Sequence, residues 1–175
     1  MIEVIIDSVR VSLMSQHRIV VLKDLHSDRY LPIWIGPFEA ESITIELQET
    51  PPQRPLTHDL LNTVIHELGA RVVHILINDL REDVYYARIV LEVSGDQIEI
   101  DARPSDAVNL AARAKSPIFV SEALMDRAAV HPDEDVEQEI ARGALTTGDD
   151  VGEEKLSAFV DFVEGLDLDD LEDED

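Results

Sequence analysis

Gln97-Ile98-Glu99-Ile100-Asp101-Ala102-Arg103-Pro104-Ser105-Asp106-Ala107-Val108-Asn109-Leu110-Ala111-Ala112-Arg113 changes its period in the middle. From 97 to 101 polar and apolar residues alternate, as in a strand with one buried face. Val108, Ala111 and Ala112 instead fall on one face of a helix. Pro104 marks the change, because its ring already holds a helical φ and it has no N–H to leave unpaired in a first turn. The unpaired N–H groups of that turn therefore lie beside Asp101, Arg103, Ser105 and Asp106. Such a junction can hold an anion, or a metal ion bridging to one.

Working outward, alternation over 3–11 and the apolar run Ile19-Val20-Val21-Leu22 predict two early strands. Residues 29–35 predict a third, which Pro32 confines to an edge or an end. Gly36-Pro37 opens a helix through about Leu47, with Ala40, Ile43 and Leu47 on one face. After a proline-rich connection, Thr57 is the expected N-cap of a helix whose buried stripe is Leu61, Val64, Ile65 and Leu68 and which Gly69 ends. Strands are expected at 71–80, 84–93 and 96–102, with Ser94-Gly95-Asp96 as a hairpin turn. The helix from Pro104 precedes a short strand at 116–120 and a short helix from Ser121. Strands in groups with helices between them define an α+β class, with mixed or mainly antiparallel sheets and three main helices packed on them. One domain over 1–130, a mobile acidic connection over 131–152, and an amphipathic helix with an acidic tail over 153–175 complete the expected organisation.

The chain has 175 residues, no cysteine and a formal net charge of −24. That length supports a real core, and the missing thiols exclude disulfides, thiolate nucleophiles and thiolate zinc sites. No basic region precedes the apolar start, and no apolar run approaches the roughly 20 residues of a membrane span. A soluble cytoplasmic protein that does not engage a membrane is expected. Half of the negative excess falls in residues 149–175, which hold 13 Asp or Glu and one Lys. With no broad basic surface to release counterions, contact with nucleic acid would be local.

The 101–106 junction has two counterparts, Trp34-Ile35-Gly36-Pro37-Phe38-Glu39-Ala40-Glu41 and Arg54-Pro55-Leu56-Thr57-His58-Asp59-Leu60-Leu61. Each places carboxylates in a predicted first helical turn, where acids are favoured by the helix dipole alone. Glu39, Asp59 and Asp106 are the candidate ligands for Mg²⁺ or Mn²⁺, which prefer hard oxygen donors, with Asp101 in reserve. His58 is the candidate general base or acid. Arg54 and Arg103 are candidate phosphate forks, and Ser105 either bonds phosphate or caps its own helix. Each has a structural competitor: Arg103 could equally pair with Asp59 or Asp106 and lock two helices together. His66, His74 and Trp34 read as structural.

In order and spacing, Leu31-Pro32-Ile33-Trp34-Ile35-Gly36 with Glu39-Ala40, then Arg54 to Leu61, then Asp101 to Ala107, resemble the signature of the bifunctional nuclease domain family. The resemblance covers about residues 1–130. It implies a compact, oligomeric α+β fold, a homodimer or higher, and nuclease activity on DNA and RNA. A metal-dependent nuclease hydrolysing phosphodiester bonds is therefore the leading expectation. The alternative is a non-catalytic oligomeric binding or regulatory module, in which the polar motifs form a salt-bridge network.

Overall fold

A computed structural model describes residues 1–11, 18–50 and 52–131 of the chain. The expected acidic connection and amphipathic C-terminal helix lie outside the described residues. The elements are β1 (Ile2–Val11), β2 (Arg18–Asp24), β3 (Tyr30–Ile35), α1 (Pro37–Leu47), α2 (Thr57–Glu67), β4 (Ala70–Arg81), β5 (Val84–Val93), β6 (Asp96–Ala102), α3 (Pro104–Ala114), β7 (Ile118–Val120) and α4 (Glu122–Ala128). The α+β class expected from the sequence is what is found.

The strands form one seven-stranded sheet in the order β3-β2-β1-β7-β4-β5-β6. Every pairing is antiparallel except β4 with β7, which is parallel and makes the sheet mixed. Parallel neighbours need a crossover, and the stretch from β5 to α3 supplies it, returning the chain to the middle of the sheet. In β2, Ile19, Val20, Val21 and Leu22 are all fully buried, so both of its faces are covered, and this explains an apolar run in place of alternation. Pro32 sits in β3, an edge strand, as its missing N–H requires. The β5–β6 hairpin turns at Ser94 and Gly95, both with positive φ, the backbone hand that matches strand twist.

The core joins Leu22, Ile33, Ile75, Ile77 and Ile89 of the sheet to Ile43 of α1 and to Val108, Leu110 and Ala111 of α3. Helix α3 packs against α1, α2, β4 and β5, so it is the centre of the helical layer. Helix α2 departs from expectation: Leu61, Val64 and Leu68 are exposed, as is Leu60, and only Ile65 of the expected stripe packs on the core. Its apolar face exists, but no described element covers it. Among the described residues no helix is long and apolar enough to cross a membrane.

Candidate active site

The three expected motifs meet where the N-termini of α1, α2 and α3 converge. Helices α1 and α3 each begin with proline directly after a strand, α1 behind β3 and α3 behind β6. Strand ends thus fix where two of the three first turns lie. Neither N-cap, Gly36 or Arg103, supplies a side-chain cap. The expected cap at Thr57 is displaced by one residue: Leu56 is the N-cap of α2, and Asp59 accepts a hydrogen bond from its backbone N–H at 2.6 Å. Asp59 wins because a carboxylate at the third helical position can reach back to that N–H.

Arg103 is the hub of the open part of the site. Its Nε donates to Asp106 Oδ2 at 2.7 Å, and its Nη2 donates to Asp106 Oδ1 and Glu39 Oε1, each at 3.0 Å. Nη1 makes no hydrogen bond to the described residues, which leaves two N–H groups for a ligand. The Arg103 side chain is 67% exposed even so. His58 is buried; its Nε2 lies 3.2 Å from Asp106 Oδ1, and its Nδ1 is buried with no partner among the described residues. Burial pushes the Asp106 carboxyl up, but hydrogen bonds from Arg103 and His58 and their charges outweigh it and hold the group below its ordinary value. The hydrogen bond and charge of Asp106 in turn raise Arg103, with Glu39 adding to both effects. These side chains, with Phe38, Glu41 and Leu56, line an open cleft of about 620 Å³.

Glu39 owes its position to Gly36. A Cβ at residue 36 would lie 2.2 Å from Glu39 Oε2, so the carboxylate fills space that any other residue would take. The backbone φ of Gly36 is −67°, open to every amino acid, so room and not conformation is the reason for glycine here.

Behind the cleft lies a second arginine that the sequence reading left without a role. Arg113, its side chain only 4% exposed, pairs through Nε with Asp59 Oδ1. Nη2 donates to the Ser42 hydroxyl at 3.0 Å and to the Ser42 carbonyl at 3.2 Å, and Nη1 donates to Asn109 Oδ1 at 3.1 Å. Fully buried Asn109 gives its amide hydrogens to the carbonyls of Glu39 and Ser105, at 3.1 and 3.0 Å. One polar web therefore joins α1, α2 and α3. The signal was present: Ser105, Asn109 and Arg113 are spaced by four and share a helical face.

The expected metal set is not assembled. Asp59 is committed to Leu56 N–H and Arg113, while the guanidinium of Arg103 spans Glu39 and Asp106. Among the described residues no group of three or more His, Asp or Glu side chains is placed to hold a metal ion. The residues as arranged do not fit a divalent ion. Asp101 is exposed on β6, Arg54 is exposed in the connection before α2, and neither lines the cleft. Ser105 is buried within the first turn of α3; it neither caps the helix nor lines the cleft.

The α+β domain thus gathers an exposed arginine, a histidine and two carboxylates at three helix starts. The chain belongs to the bifunctional nuclease domain family, whose model matches residues 20–133. It is 37% identical over 170 residues to an uncharacterized protein of Mycobacterium tuberculosis, covering 97% of each chain. It is 31% identical over 108 residues to bifunctional nuclease 1 of Oryza sativa subsp. japonica, covering 60% of this chain and 33% of that one. Bifunctional nuclease 2 of Arabidopsis thaliana is 27% identical over 112 residues, covering 62% of this chain and 34% of the relative.

Proposed function

We propose that this chain hydrolyses phosphodiester bonds of nucleic acid in the cleft between α1, α2 and α3. The observation that carries the proposal is Arg103: exposed, held by two carboxylates, and with Nη1 unused, beside the His58–Asp106 pair. The free edge of its fork can take a non-bridging phosphate oxygen and the charge that grows on it during attack. His58, whose Nε2 lies against Asp106, is the group assigned to proton transfer; its Nδ1 is buried and becomes a base for the attacking water only once the cleft opens to admit that water. Glu39 and Asp106 keep Arg103 in place and keep its charge partly balanced before a ligand enters. The names of the plant relatives support the reaction class.

The test is hydrolysis of single- and double-stranded DNA and RNA by purified protein, with chelator and with added Mg²⁺ or Mn²⁺, alongside His58→Ala. Removing a general acid–base group costs about 10²- to 10⁴-fold. If His58→Ala retains full activity, the assignment of this cleft fails. Dependence on a divalent ion would require Arg103 to give up one carboxylate to it.

The second reading, an oligomeric binding or regulatory module, draws on the exposed Leu60, Leu61, Val64 and Leu68 of α2. Light scattering of wild type and Leu61→Glu decides whether that face joins copies into a dimer or larger assembly.

A further inference from the structure

We infer that Phe38 is a base-stacking residue that makes the cleft selective for single-stranded nucleic acid. The inference rests on the phosphodiesterase reading and deepens it by naming the form of the substrate.

Phe38 is 81% exposed, the most exposed of the chain's large apolar side chains among the described residues. It is the second residue of α1, directly after Pro37 and directly before Glu39, whose carboxylate accepts from Arg103. Its ring lines the same cleft as Arg103, His58 and Asp106, and among the described residues no other Phe, Tyr or Trp does so. An unburied ring of this size leaves its whole face available to a flat, apolar partner.

The charge of the cleft makes such a partner necessary. Among the described residues Arg103 is the one arginine or lysine in its lining, set against Glu39, Glu41 and Asp106. A site with so few phosphate contacts gains little from counterion release, so binding has to come from a contact that is not electrostatic. Stacking on an aromatic ring serves every base alike, because each base has a π-face. Bases inside a duplex are stacked on one another and are not free to take up the ring, whereas those of a single strand are. The adjacency of Phe38 and Glu39 sets a base platform one residue from the carboxylate that holds the phosphate-binding arginine. Both side chains line one cleft, so base and phosphate of one strand can be held in it together.

The experiment compares wild type with Phe38→Ala, Phe38→Leu and Phe38→Tyr on a short DNA oligonucleotide bearing 2-aminopurine. Fluorescence quenching reports stacking, and steady-state hydrolysis of single-stranded and duplex forms is measured in parallel. Phe38→Ala is expected to abolish the quench and to raise KM for the single strand about 5- to 150-fold, the equivalent of ~1–3 kcal/mol for one stacked base. Tyrosine should restore both readouts and leucine neither, and the ratio of single-strand to duplex hydrolysis should fall in Phe38→Ala. Unaltered quench and KM in Phe38→Ala would overturn the inference and leave the nuclease reading standing. So would rescue by leucine equal to that by tyrosine, or a change of molecular mass in light scattering without a change in quench, which would make Phe38 an interface residue. A wild type that neither binds nor cleaves any nucleic acid removes the nuclease reading, and this inference with it.

Discussion

Helix α3 carries an arginine before each end of its span, and the two live in opposite circumstances. Arg103 and Arg113 are about 15 Å apart along the axis at 1.5 Å per residue. Both pair with first-turn carboxylates, and both tie α3 to α1. Arg113 spends all three of its nitrogens on Asp59, Ser42 and Asn109, with 4% of its side chain exposed. Among the described residues Arg103 keeps one nitrogen unused, and 67% of its side chain is in the open. Removing one partner of a buried ion pair strands a charge away from water, whereas an exposed pair is screened and contributes little. The same chemical pairing is thus structural at one site and available to a ligand at the other. Burial, not residue type, makes the distinction.

The largest expected effect is on the structural side. Arg113→Ala leaves Asp59 without its cation and breaks the ties among three helices, so unfolding free energy should fall by about 3–5 kcal/mol. Denaturant titration measures it; a loss below about 1 kcal/mol would erase the distinction between the two arginines. Next is Arg103→Ala, for which kcat/KM on an oligonucleotide should fall about 10²- to 10³-fold, as for loss of a donor to a developing oxyanion. Its stability should change by no more than about 1 kcal/mol, and a large loss of stability with intact activity would invert the comparison.

A smaller effect concerns acid. The Asp106 carboxyl sits below its ordinary value, so the stability from its pairing is fully present above the unfolded value of about 3.9 and is lost only as pH falls through the lower folded value. Between pH 7 and about 4, Asp106→Asn and wild type should therefore show parallel stability curves, diverging only below that. Divergence near pH 6 would mean that another group controls the cleft. The smallest effect belongs to Gly36→Ala, which displaces the Glu39 carboxylate from its place near residue 36. Because that carboxylate ends a flexible side chain, stability should stay within about 0.5 kcal/mol while kcat/KM drops several-fold.

Much of the fold was legible because periodicity reports which faces are apolar. The 97–113 stretch divides at Pro104 into strand and helix, but Ile98 and Ile100 of β6, expected on a buried face, are exposed at the edge of the sheet, while the continuous run in β2 is buried on both faces. Periodicity does not report what covers an apolar face, and so Leu61, Val64 and Leu68 of α2 were misjudged. In the site, the meeting of Glu39, His58, Arg103 and Asp106 agrees with the three motifs, but the part each carboxylate plays depends on which arginine reaches it. Asp59 is three residues from the N-cap of α2 yet is turned toward Arg113, a direction no linear pattern encodes. Asp101 and Arg54 share motifs with cleft residues without entering the cleft. Asn109 was passed over because a buried amide announces itself only through the carbonyls that meet it.

The hollow beside Gly36 works as a mould for the Glu39 carboxylate, whose outline is set by a carbon atom the chain does not carry. A carboxylate's hold on its partner is ordinarily adjusted by exchanging one of the two, which alters charge and geometry together. Here residue 36 offers a separate handle. Stepping it from glycine to alanine, serine and valine would push Glu39 outward by graded bulk while every ionisable group is kept. The separation of Glu39 from Arg103 would then vary with the size of an uncharged neighbour.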